Sequence, residues 1–232
     1  MHYVKSEKYN TSALQAKIMG PNPVKLEEEL LMGNSIPTGA GVCDLGSGQG
    51  LTSVFLAKEY GFTVYAAGLW SDPDENRRFF DEMGLDERQI VPVKADATAL
   101  PFEKEFFDAV ISTDSYNYFG RDERYPDDRL LPFVKSGYVY IAIPGMKKDC
   151  HDHLPPELLL SWTPEQMDYM HDVSYWKSIV GKCNEGTGAH LPCQKEEIPF
   201  VQGRSRESGA ESHSPFRPRL AVPAQTVSAN AS

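Results

Sequence analysis

The residues Gly46-Ser47-Gly48-Gln49-Gly50 stand between a short apolar run, residues 41–45, and a ten-residue stretch, residues 51–60, whose apolar positions recur with helical spacing up to Gly61. That order reads as strand, glycine turn and helix, with Gly61 as a C-terminal cap. A strand that turns directly into a helix feeds a crossover to a parallel neighbour rather than a hairpin. The remaining text repeats the alternation. Strands are expected at residues 62–67, 90–93, 107–112 and 138–143, and helices at 74–83 and, less regularly because of Pro126 and Pro132, at 125–134. A Thr163-x-x-Gln166 capping box with Pro164 in its first turn predicts one helix through residue 180, with Met167, Met170, Val173, Trp176 and Val180 turned inward. Two short helices, 11–19 and 23–32, the second capped by Asn22, precede the first strand. The fold class expected is α/β: a Rossmann-like, doubly wound, mainly parallel sheet with helices on both faces.

Composition divides the chain near residue 180. Of 23 Lys and Arg and 33 Asp and Glu, giving a net charge of −10, all but 6 and 5 respectively fall before that point. Only Phe200 and Phe216 among the aromatics fall after it, in text rich in Gly, Pro, Ser and Ala with no helical or strand period. Three segments are expected: an N-terminal helical cap (1–40), a catalytic-type domain (41–180), and a low-complexity tail (181–232) too poor in apolar residues to order itself. The acidic balance disfavours nucleic acid as a partner, since phosphates are held by clustered Lys and Arg. Four cysteines without CxxC spacing, a polar opening and no apolar run near ~20 residues point to a reduced, cytoplasmic setting without stable membrane insertion.

In an open parallel sheet, ligands bind beyond the carboxyl ends of the strands, where glycines let backbone approach and the next helix offers free N–H groups. Leu51 occupies the position where a dinucleotide fingerprint has its third glycine, which weighs against a dinucleotide-dependent oxidoreductase. The absence of GxxxxGK[ST] weighs against a nucleoside triphosphatase.

Residues 42–50 (VCDLGSGQG) resemble the first motif of class I S-adenosylmethionine-dependent methyltransferases. Residues 93–102 (VKADATALPF), 107–118 (FDAVISTDSYNY) and 137–143 (GYVYIAI) follow in the family's order and resemble its acidic loop, fourth strand and fifth strand. The likeness is to small-molecule methyltransferases of the ubiquinone-biosynthesis and cyclopropane-synthase-like type. It implies transfer of a methyl group from S-adenosylmethionine to a small-molecule acceptor. It also implies roles. Asp44, Gly46, Ser47, Gly48 and Gly50 would surround the methionine part of the cofactor; Leu69 and Trp70 would wall the adenine; Asp96 and Ala97 would hold it; and Thr113 and Asp114 would lie beside the sulfonium. Candidates to orient or deprotonate an acceptor are Tyr116, Tyr118 and His151.

Two departures from that family stand out. Gly68 falls where the second strand normally ends in an acid that grips the ribose hydroxyls, so Gly68→Asp is expected to tighten cofactor binding. After the last helix no alternating pair of strands is evident, so the family's terminal hairpin is expected to be absent. Both leave a non-catalytic or weakened remnant as the alternative function. The run Cys150-His151-Asp152-His153, with His171 further on, contains ligand-type residues but lacks a zinc-site spacing, and no metal is expected from it.

Overall fold

The computed structural model describes residues 3–18, 20–156, 158–160, 162–182 and 220–222. Its centre is a six-stranded sheet in the order β3-β2-β1-β4-β5-β6, with β1 Gly41–Leu45, β2 Thr63–Gly68, β3 Ile90–Lys94, β4 Phe107–Thr113, β5 Val134–Ile143 and β6 Leu220–Val222. The first five strands pair in parallel; β6 runs antiparallel to β5, with Ile141 opposite Val222 and Ile143 opposite Leu220. The chain leaves β1 toward one edge and returns to β4 on its other side, so the connection reverses between those two strands. Open α/β sheets bind ligands at that switch.

Where the sequence shows no alternating pair of strands after the last helix, the structure adds one strand to the sheet. Leu220-Ala221-Val222 supplies an antiparallel edge. The rest of the tail expected to be unordered, 183–219 and 223–232, lies outside the described residues.

Alternation along the strands gives the sheet two buried faces. Val42, Val64, Ala66, Ala109 and Ile111 pack on one side against α2 (Pro23–Leu30), α3 (Leu51–Tyr60) and α4 (Pro73–Glu82). Cys43, Leu45, Val110, Val139 and Ile141 pack on the other against Tyr116, Tyr125, Trp176 and Ile179. A one-turn helix, α1 (Ser12–Gln15), precedes α2, whose N-cap Asn22 accepts from the Lys25 N–H as its sequence predicts. Gly50 and Gly61 bracket α3, both in the left-handed region.

Two helical expectations change. Residues 125–134 form a π-helical turn, Pro126–Leu130, followed by a 3-10 turn, Leu131–Phe133, and β5 begins at Val134 rather than Tyr138. The single helix expected over 164–180 is two: α5 (Pro164–Met167), with its Thr163–Gln166 capping box, and α6 (Val173–Lys182). Asp172 interrupts them by accepting from the Tyr175 N–H, a second N-cap within the run. Met167 and Met170 therefore join Met146 and Leu158 in a third small cluster, while Trp176 and Ile179 enter the sheet core.

Candidate active site

At the carboxyl ends of β1, β2 and β4 lies a cavity of about 630 Å³, lined by Leu45, Gly46, Gly48, Ala67, Gly68, Leu69, Trp70, Ala95, Asp96, Ala97, Thr98, Asp114, Ser115, Tyr118, Phe119 and Tyr169. A recess of about 70 Å³ adjoins it, bounded by Lys17, Pro21, Pro23, Ser47, Gln49, Leu51, Thr52 and Thr113. Gly46, Gly48 and Asp114 line both.

The glycine turn is shaped by close approach. Gly46, Gly48 and Gly50 all have positive φ. A Cβ on Gly46 would stand 2.2 Å from the Ser115 Oγ, which donates to the Leu45 carbonyl. Gly50 lines neither cavity. A Cβ there would meet the Phe80 ring at 2.5 Å, so this glycine serves helix packing. Asp44 is also not on the cavity wall. It is buried, and its Oδ2 accepts from the Thr52 Oγ1 at 2.7 Å and the Ser53 Oγ at 2.5 Å. It thus ties the end of β1 to the first turn of α3. Burial pushes its pKa up to about 6, against the lowering effect of the two hydroxyls. Glu27 of α2 is buried nearby and accepts from the Thr113 Oγ1 at 3.3 Å. Burial, together with the Asp44 charge, holds the Glu27 carboxyl well above its ordinary value.

Asp96, beyond β3, lines the large cavity with Ala97. Its Oδ1 accepts from the backbone N–H and the hydroxyl of Thr98, and these bonds hold its carboxyl below the usual range. Both bonds fall on Oδ1, so the carboxylate is oriented by one oxygen and can accept with the other. Trp70, 89% exposed, stands with Leu69 at the cavity's lip. Asp114 adopts a left-handed conformation, φ 58°, directly after β4, and its N–H donates to the Ala142 carbonyl. Its Oδ2 occupies the space over Gly20, where a Cβ would stand at 2.3 Å.

The three residues proposed from sequence to handle an acceptor separate. Tyr118 lines the cavity, its ring 5.2 Å from that of Tyr169. Tyr116 does not: it is 1% exposed and packs among Phe119, Tyr125 and Trp176 in the core. The 3-10 turn Tyr116–Tyr118 explains the split, because two residues on such a turn point to different sides. His151 is also off the cavity, bonded to Asp149 and to the Met167 carbonyl. Tyr169, which sequence reasoning missed, sits in the turn between α5 and α6 that reads in sequence as continuous helix. Lys17 and Gly20 were missed because nothing in their local text links them to β4.

The cavity suits the cofactor implied by the motifs. The Ser47 Oγ is buried at the turn with no hydrogen-bond partner among the described residues, a donor awaiting a ligand. Gly68 departs from the family pattern in a further way. A Cβ there would lie 2.9 Å from the Ser71 Oγ and 3.2 Å from the Ser47 Oγ, so hydroxyls surround the position where the acid is normally found. An aspartate at 68 must first displace Ser71, and Gly68→Asp alone is no longer expected to tighten binding.

Comparisons with known proteins agree with this architecture. Residues 42–126 match the family model described as a methyltransferase domain. A sarcosine/dimethylglycine N-methyltransferase of Aphanothece halophytica is 32% identical over 116 residues, 49% of this chain and 40% of that protein. The chain thus spans well under half the length of this curated relative. A solved phosphoethanolamine N-methyltransferase 2 of Haemonchus contortus, in complex with phosphomonomethylethanolamine and S-adenosylhomocysteine, superposes with a TM-score of 0.60 at 20% identity over 78% of this chain and 41% of that one. An S-adenosylmethionine-dependent methyltransferase from Aquifex aeolicus has a TM-score of 0.57 at 16% identity over 98% of this chain and 100% of that one. The strand order with its antiparallel edge and the glycine turn at the switch point are those of a Rossmann-like α/β fold, and within it residues 42–126 match a methyltransferase domain.

Proposed function

We propose that the chain transfers a methyl group from S-adenosylmethionine to a small-molecule amine by in-line displacement. The observation that carries this is the joined pair of cavities at the β1/β4 switch, with glycine backbone and Asp114 common to both. The cofactor supplies a methyl group activated on a sulfonium. The recess offers its methionine end an amino-acid site: the first-turn N–H groups of α3 and the Lys17 ammonium for a carboxylate, and Asp114 for an ammonium. Asp96, Ala97, Leu69 and Trp70 line the large cavity; there the Asp96 carboxylate would accept from the exocyclic amine of the adenine, and the other three would cover the ring. Thr113 and Asp114, which line the recess, would flank the sulfonium, where a carboxylate favours positive charge.

The part left to the protein is alignment and exclusion of water. Tyr118, Phe119 and Tyr169 form an aromatic wall on the large cavity. Such faces hold an alkylated ammonium and its uncharged amine alike, through ring quadrupole and apolar contact. This wall, and the N-methyltransferase relative, support an amine as acceptor. No helix among the described residues is long and apolar enough to cross a membrane, and the acidic balance argues against nucleic acid as the acceptor.

A weakened remnant is the second reading, favoured by Gly68 alone. Thermal-shift titration separates the two. S-adenosylmethionine and S-adenosylhomocysteine should raise Tm, since a ligand at 100 times its Kd adds about 2.7 kcal/mol, while NAD should not. No response to either sulfur compound would establish the remnant. A screen of small amines with labelled methyl donor, sarcosine and dimethylglycine among them, then identifies the acceptor.

A further inference from the structure

Beyond β5, away from both cavities, Asp149, His151 and His171 bring one carboxylate and two imidazole nitrogens within 4.8 Å of one another. Hydrogen-bond accounting makes the group unusual. The His151 Nε2 lies 3.0 Å from the Met167 carbonyl oxygen, which can only accept, so Nε2 carries a hydrogen. The lone pair of a neutral His151 is then on Nδ1, 2.9 Å from the Asp149 Oδ1: two acceptors face each other. The His171 Nδ1 is buried without a hydrogen-bond partner, 3.8 Å from the Asp149 Oδ2. A proton on His151 relieves the first contact and leaves the second nitrogen bare. A single divalent cation among the three relieves both.

We propose that Asp149, His151 and His171 bind one zinc-like divalent cation, which ties the segment after β5 to the turn between α5 and α6. Two imidazoles and a carboxylate are donors that suit zinc and its neighbours rather than calcium or magnesium. Donors of one zinc ion at ~2.0–2.2 Å stand about 3.3–4.3 Å apart, so small side-chain rotations close the site. The surroundings are those of ligating histidines. The His151 Nε2–H is fixed by a backbone carbonyl, and the His171 ring is stacked on Tyr175 with centroids 3.5 Å apart. Three protein ligands leave a fourth position for water. The chain also has a reason to fasten this turn, because Tyr169, two residues before His171, is part of the aromatic wall. The sequence reading weighed Cys150, His151 and His153, with His171 further on, and expected no metal; the proposal differs in adding Asp149 and leaving out Cys150 and His153.

The test uses the full chain, freed of metal by a chelator and dialysis, and titrated with zinc chloride by calorimetry and with cobalt(II) by absorption. One equivalent should bind, with a cobalt spectrum free of thiolate charge-transfer bands. His171→Ala and Asp149→Asn should each weaken binding at least tenfold. His153→Ala and Cys150→Ser should leave it unchanged. Asp149→Asn keeps the side-chain shape and carries the test if His171→Ala does not fold. The proposal is overturned by absence of saturable binding, by binding that survives Asp149→Asn, or by binding lost instead in a Cys183→Ser/Cys193→Ser variant.

Discussion

Asp44 is a carboxylate at the hinge of the site whose charge is disfavoured by the fold. Its folded pKa of about 6 lies above the unfolded value, so between roughly pH 4 and pH 6 the native state binds the extra proton. Its contribution to stability is therefore full below pH 4 and lost as pH rises through 6, by roughly 3 kcal/mol at about 1.4 kcal/mol per unit. Glu27, raised by burial and by Asp44, acts in the same direction. Asp44→Asn retains an oxygen for the Thr52 and Ser53 hydroxyls and removes the titration. Urea melts from pH 4 to 7 should show a declining profile in the wild type and a flatter one in the variant; equal slopes would contradict this account. At Gly68 the crowding by Ser71 sets another expectation. Gly68→Asp alone should weaken S-adenosylmethionine binding in calorimetry, and Gly68→Asp with Ser71→Ala should recover it, with about tenfold between the two. The place of Asp96 on the cavity wall was legible in sequence because its motif follows a recognisable strand. Tyr116 was misread because an offset of two residues on a 3-10 turn, from Tyr118 to Tyr116, separates cavity from core.

Among elements, α3 shows how far a glycine signal carries. Gly50 and Gly33 both hold a positive φ, 79° and 70°, but only Gly50 has the Phe80 ring against its open side. An alanine in the left-handed region costs about 1–2 kcal/mol from the backbone alone, and overpacking adds roughly 1–3 kcal/mol. Gly33→Ala should therefore cost about 1–2 kcal/mol and Gly50→Ala about 2–5 kcal/mol in denaturant unfolding. Comparable losses would show that Phe80 swings aside freely. The same contrast explains what was readable. Five parallel strands and α3 stood out because apolar runs ended at turn residues. The break between α5 and α6 did not, because Met167, Met170 and Trp176 kept helical spacing across a turn whose signal, Asp172 accepting from the Tyr175 N–H, is a single side chain. Likewise β5 starts in polar text, Lys135-Ser136-Gly137, and pairs with β4 through a register shift between Phe107 and Ala109, which hides it from a hydrophobic pattern.

At the scale of the molecule, the site is assembled from segments far apart in sequence: Lys17 and Gly20 before the sheet, the ends of four strands, and Tyr169 after it. Local motifs could bring the residues proposed for the cofactor to the cavity, since β1, β3 and β4 each carry their own. They could not bring Tyr169, proposed for the acceptor, which depends on how distant helices return to the sheet. The central strands also provide a clock. The thiol of Cys43 is fully buried in the middle of β1, and burial, aided by the Asp44 charge, holds it protonated. An alkylating reagent can reach it only when the sheet itself opens, whereas Cys150 is partly accessible at all times. Peptide-resolved alkylation should accordingly modify Cys150 early and Cys43 at the rate of global opening. With S-adenosylhomocysteine at 100 times its Kd, Cys43 modification should slow about a hundredfold while Cys150 keeps its pace. The native sheet thus reports its own occupancy, in the lifetime of one sulfur atom, without any measurement of methyl transfer.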